Sequence, residues 1–195
     1  MSKYFILDTE TTGLGPDAEA WEVAVICCDD KGNELSSFRA TCKPQVAWEG
    51  KAREMSGLTD EDLDSFQTPE QMLRQLTAYF RVTADPDKWD NTVVIHNVAY
   101  DAPLLERMYR KYKVESFRTY TGYSDVCTMQ ALRMLKAAGR WSGKCSLEVI
   151  HKLRGTTEEA HTALADCKAT AWLFFRLIQQ LRLNWFQRLI KRLIG

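Results

Sequence analysis

The chain has 195 residues, 45% of them hydrophobic, with 26 acidic and 26 basic residues and a formal net charge of zero. That length suits one domain with a sizeable core. The charge balance excludes a chain that draws in nucleic acid by its overall field, so a polyanion would have to be held by a local patch or by metal ions. No stretch approaches the roughly 18 apolar residues of a membrane span. The start, "MSKYFILD", lacks the long apolar run and small-residue cleavage site of a signal peptide. Six cysteines (Cys27, Cys28, Cys42, Cys127, Cys145 and Cys167) form no C-x-x-C pair. Their scattered spacing argues against zinc, and they read as reduced thiols of a cytoplasmic protein.

Residues 4–7 form a continuous apolar run, predicting a strand over 3–8 covered on both faces. "WEVAVICCD" (21–29) predicts a second strand, "DKGN" a turn, and "ELSSFRATCK" (34–43) a third strand that returns antiparallel. Residues 44–57 connect onward with one short helical piece at most. Thr59 with acids at 60–62 predicts one helix start, and Thr68 with Pro69 and Glu70 predicts another.

A fourth strand is expected at "NTVVIHN" (91–97), followed by an amphipathic helix over 101–113, a loop at "TYTGYSD" (119–125), and helices over 125–138 and 145–153. A long helix is expected over 159–183, where apolar residues recur every three to four positions. Strands first, then strands alternating with helices, define an α/β sheet with helices on its faces.

Functional groups of such a sheet gather where strands end and helices begin. Asp8 and Glu10 end the first strand, Asp101 begins the helix after the fourth, and His161 and Asp166 stand five apart on the last helix. Five residues turn a helix through about 500°, which leaves these two about 140° apart, so one can face the sheet end while the other flanks it. A buried strand delivering two acids to its end is costly unless a cation compensates them. Each residue has a plainer reading: Asp101 as a helix cap, His161 as a helix-surface residue, and His96 and Asn97 as strand-end hydrogen-bonding groups.

"FILDTETTG", "HNVAYDAPLL" and "HTALAD" together resemble the three motifs of the DEDD superfamily of 3′→5′ exonucleases, in the DnaQ-like branch with a histidine five before the last aspartate. The resemblance extends from residue 3 to about 180. It implies an RNase H-like fold with a mixed sheet of about five strands flanked by helices. It also implies hydrolysis of phosphodiester bonds from a free 3′ end, single-stranded DNA being favoured, with release of nucleoside 5′-monophosphates. Two divalent ions, Mg²⁺ or Mn²⁺, would be held by Asp8, Glu10, Asp101 and Asp166, with His161 as general base. Thr11, Thr12, Gly13, Leu14, His96 and Asn97 would border the terminal nucleotide. Two departures stand out: Ser56, where relatives often have histidine, and Tyr100, where phenylalanine is usual.

Two other readings compete. A 3′→5′ exoribonuclease or oligoribonuclease would use the same chemistry on RNA ends. A non-catalytic nucleic-acid-binding module would keep only the fold; it predicts a broken catalytic position, and all five are present. Trp48, Tyr123, Trp141, Arg140 and Lys144 are loop residues suited to a single-strand platform, although a core or rim role suits each better. The expected organisation is a catalytic domain over 1–182 and a basic amphipathic helix over 183–195. That helix would pack on this domain or a second copy, dock a protein partner, or meet a membrane surface or nucleic acid.

Overall fold

The computed structural model describes residues 2–123, 125–156 and 162–194, with side chains described as far as Arg182. Five strands form one mixed sheet: β1 (Lys3–Thr11), β2 (Ala20–Cys28), β3 (Glu34–Thr41), β4 (Asn91–Ile95) and β5 (Asp125–Cys127). Their order is β3-β2-β1-β4-β5, with β1 central. β2 runs antiparallel to β1 and to β3, while β4 is parallel to β1 and β5 is parallel to β4.

The alternation of β1 sorts its side chains onto two faces. Phe5 and Leu7 join Val93 and Ile95 under Leu73, Leu76 and Phe80 of α3 (Pro69–Thr83) and Leu104, Leu105 and Met108 of α4 (Val98–Tyr112). Ile6 joins Ala24, Ile26 and Val94 under Ala163, Cys167 and Phe174 of α8 (Ala163–Ile194). The central strand is thus covered on both sides, as its unbroken apolar run requires. Burying each of Phe5, Ile6 and Leu7 stabilises by about 1.5–3 kcal/mol. A third cluster, Leu132, Ile150, Ala169 and Leu173, packs α6 (Thr128–Ala137) and α7 (Leu147–Arg154) against α8.

Of the connecting helices, α1 (Ala52–Ser56) has no side-chain cap, whereas α2 (Asp60–Ser65) starts as its sequence directs. Thr59 and Asp62 form a reciprocal capping box, and so do Thr68 and Gln71 at the start of α3.

Several boundaries differ from expectation. β1 continues past Asp8 to Thr11, because Thr9 and Glu10 still pair with Val23 and Glu22 of β2. α4 starts at Val98, so Asp101 lies in its first turn. The loop expected over 119–125 contains a helical turn, α5 (Arg118–Thr121), and residues 125–127 are strand β5, not helix, because Asp125, Val126 and Cys127 pair with Val93, Val94 and Ile95. The last helix begins at Ala163, where Thr162 accepts from the Ala165 and Asp166 amides, and its backbone runs unbroken to Ile194.

Candidate active site

Three elements bring carboxylates to the end of β1. Asp8 and Glu10 lie two apart on the face covered by α8, and Asp166 comes from the first turn of that helix. Each of the three offers an oxygen within 4.8 Å of the others. Asp101 arrives from the opposite layer, at the start of α4, and its Oδ1 accepts from Thr9 Oγ1 at 2.6 Å.

The electrostatics of this cluster are unfavourable without a counter-charge. Burial raises the Asp8 carboxyl well above its ordinary range, and the carboxylates of Asp101, Asp166, Glu10 and Glu22 raise it further. Glu10 is pushed up to about 8, first by burial and then by Asp166, Glu22 and Asp101. Asp101 rises to about 6 through burial, with the Thr9 hydrogen bond pulling the other way. Among the described residues no hydrogen-bond donor reaches the carboxylate of Asp8 or of Glu10. Buried, donor-poor carboxylates whose donor atoms are all hard oxygens fit Mg²⁺ or Mn²⁺.

Several members of this surround lie outside the expected site residues. Glu22 stands directly across from Glu10 on β2, fully buried; Oε1 pairs with Arg39 Nε at 2.5 Å, and Oε2 has no partner among the described residues. A glutamate inside the apolar run of "AWEVAVICC" is a visible signal, but only the strand register places it beside Glu10. His151 on α7, 1% exposed, puts Nε2 2.6 Å from Asp166 Oδ1. Thr9 and His151 look like ordinary strand and helix residues in sequence.

Beside the carboxylates opens a cavity of about 710 Å³, lined among others by Glu10, Thr11, Gly13, Leu14, Trp21, Glu49, Met55 and Ser56. Leu14 projects into solvent at 84% exposure. The turn that carries it is held by Glu49, whose Oε2 accepts from the Leu14 and Gly15 amides at 2.9 and 2.8 Å. A Cβ at Gly13 would meet the Glu49 side chain at 2.3–2.5 Å, so this close approach needs glycine. The Tyr100 hydroxyl bonds the Gly13 carbonyl and Thr11 Oγ1, tying α4 to the same turn. The hydroxyl that distinguishes tyrosine from phenylalanine therefore has a structural partner.

Not every expected contact residue faces this cavity. Thr12 is fully buried, and its hydroxyl accepts from the Glu19 amide. His96 is buried, with Nδ1 2.9 Å from Thr128 Oγ1 and Nε2 3.1 Å from the Cys145 carbonyl; burial lowers its pKa. It makes the hydrogen bonds of a strand end. Asn97 serves α4 through its carbonyl, which accepts from the Tyr100 and Asp101 amides. Trp48 packs behind the cavity-lining Trp21 and beneath Arg53, and does not itself line the cavity. His161 lies outside the described residues.

A mixed five-stranded sheet flanked by helices, with acids at the end of its central strand, defines an RNase H-like nuclease fold. The chain belongs to the exonuclease family, whose profile matches residues 5–174, and within it to the DEDD superfamily of 3′→5′ exonucleases that the three motifs resemble. It is 27% identical over 181 residues to the PolC-type DNA polymerase III of Thermotoga maritima, covering 92% of this chain but 12% of that protein. It is 28% identical over 171 residues to an uncharacterized exonuclease of Escherichia phage 186, covering 84% of this chain and 82% of that one. The fold superposes on E. coli exonuclease I in complex with a dT13 oligonucleotide with a TM-score of 0.78 at 18% identity, covering 97% of this chain and 44% of that chain.

Proposed function

We propose that this chain is a metal-dependent exonuclease that removes nucleotides from the 3′ end of single-stranded DNA and releases nucleoside 5′-monophosphates. The observation that carries the proposal is the convergence of Asp8, Glu10 and Asp166 within 4.8 Å, beside a cavity lined by Glu10, Thr11 and Leu14. Asp8, Glu10 and Asp166, with Asp101 on the other side, would hold two Mg²⁺ or Mn²⁺ ions. Bound there, such ions neutralise the carboxylates and the phosphate and make water a stronger nucleophile near neutral pH.

In this reading, Thr11 and Leu14 border the terminal nucleotide, and Glu49 and Tyr100 fix the turn that presents them. His161 is assigned the proton from the attacking water, a task suited to an imidazole that titrates near neutrality. The water oxygen bonds to phosphorus, the P–O3′ bond breaks, and the shortened strand leaves with a 3′ hydroxyl. That solved relatives of this fold hold a dT13 oligonucleotide supports single-stranded DNA as substrate. The six free cysteines support a reducing, cytoplasmic setting: burial pushes Cys27 to about 11 and Cys28 to about 12, which keeps both thiols protonated and inert.

The test uses 5′-labelled single-stranded DNA and the matching RNA with Mg²⁺ or Mn²⁺. The expected result is a ladder shortening from the 3′ end of DNA, abolished by a chelator and by Asp8→Asn. Full turnover in chelator removes the metal assignment. A faster ladder on RNA reassigns the substrate, and cleavage of a closed single-stranded circle makes the enzyme an endonuclease.

A further inference from the structure

We infer that His151 is a positioning residue of the metal site, holding the Asp166 carboxylate in the one orientation that presents its second oxygen to a cation. This rests on the reading of Asp166 as a metal ligand. The terminal torsion of an aspartate is soft, with a broad, roughly two-fold profile, so a ligand carboxylate needs an external restraint to keep its aim. At Asp166 the backbone is fixed, because its amide donates to the Thr162 carbonyl in the first turn of α8. The carboxylate itself is gripped by His151 Nε2 at 2.6 Å, a close contact for nitrogen and oxygen.

As a metal ligand the Asp166 carboxylate only accepts, so in this reading Nε2 carries the hydrogen. The other ring nitrogen, Nδ1, lies 3.1 Å from Thr156 Oγ1, whose hydroxyl can donate to it. The same threonine returns its amide to the His151 carbonyl at 3.0 Å. The imidazole is therefore held at both nitrogens and at its own backbone, in a position 1% exposed. Ile150, next to it on α7, is fully buried against Ala169 and Leu173 of α8, so the helix carrying the imidazole cannot slide along the helix carrying the carboxylate. Oδ1 of Asp166 is committed to His151, leaving Oδ2 for the cation. Hydrogen-bonding partners behind a ligand carboxylate typically change metal affinity or activity by about 10–100-fold.

The experiment compares three variants of the full chain, stripped of metal and titrated with Mn²⁺ by calorimetry, with the metal-free fold checked by circular dichroism. His151→Gln places an amide N–H where Nε2 stood. His151→Asn is similar in polarity but too short to reach Asp166, and keeps its amide on the Thr156 side. His151→Leu removes both contacts. The expected result is wild-type-like Mn²⁺ affinity for the Gln variant, within about threefold, and a loss of about 10–100-fold for Asn and Leu. kcat on a short oligonucleotide at sub-saturating Mn²⁺ should fall in parallel and recover as Mn²⁺ is raised. If the Leu variant fails to fold, the Asn and Gln pair decides. Equal Mn²⁺ affinity in Asn and Gln overturns the inference. A wild-type chain that binds no Mn²⁺ and works in chelator overturns the metal reading instead.

Discussion

The Tyr100 hydroxyl is a small addition with a defined consequence. It bonds the Gly13 carbonyl and Thr11 Oγ1, so α4, which carries Asp101, is fastened to the turn that carries Leu14. Glu49 holds the amide side of that turn, and Tyr100 holds its carbonyl side. Removing the hydroxyl in Tyr100→Phe deletes both bonds, but Thr11 Oγ1 keeps its own bond to the Gly13 carbonyl at 2.9 Å, so the net loss is about 1 kcal/mol. The Glu49 contacts remain, so the turn loosens without collapsing. Steady-state kinetics should show KM for a short oligonucleotide raised about fivefold with kcat nearly unchanged, the pattern of a contact used equally in ground and transition states. A drop in kcat at constant KM would show that Tyr100 serves the chemical step and not the turn.

At the level of elements, what a local pattern could reveal and what it could not separate cleanly. Thr59 and Thr68 announce their helices because a cap is made within three residues. The apolar run into Asp8 announces a central strand because both faces of β1 are covered. Four acids at strand ends and helix starts could be found from residue type and position alone. The remainder of the site depends on partners distant in the chain, which no periodicity encodes: Thr9 with Asp101, Glu49 with Leu14, and His151 with Asp166. His96 and Thr12 sit inside motifs yet are consumed by Thr128, Cys145 and Glu19.

Strand β5 escaped for a related reason. It is three residues long, and "DVCTMQAL" reads as the start of a helix. What fixes it, besides pairing with β4, is Arg118 of α5, 5% exposed and donating to both Asp125 oxygens at 2.5 and 2.7 Å. Breaking such a buried pair leaves an uncompensated charge, and the cost is about 3–5 kcal/mol. Asp125→Ala should lie at the lower end, about 3 kcal/mol, because Glu106 remains 3.6 Å from Arg118 Nε. Urea unfolding would register this as a lower midpoint at unchanged slope. A variant as stable as the wild type would mean that β4 pairing alone secures the edge.

For the whole molecule, the carboxylate cluster links stability to pH and metal. Glu10 rises from 4.5 unfolded to about 8 folded, Asp101 from 3.8 to about 6, and Asp8 in the same direction, with burial the leading cause in each. A carboxyl that holds its proton more tightly when folded leaves the native state with more bound protons than the unfolded chain between its two pKa values. Stability then falls as pH rises through that window, for Glu10 from about pH 4.5 to about 8. In chelator, the urea midpoint of the full chain should therefore decline between pH 5 and pH 8. Glu10→Gln cannot ionise at this position, so its decline should be shallower. A divalent ion binds the deprotonated, folded cluster, so Mg²⁺ or Mn²⁺ should raise the midpoint, and by more at pH 8 than at pH 5. Parallel pH profiles for wild type and Glu10→Gln in chelator would show that Glu10 does not carry this linkage. A metal increment that fails to grow with pH would place the ion elsewhere on the molecule.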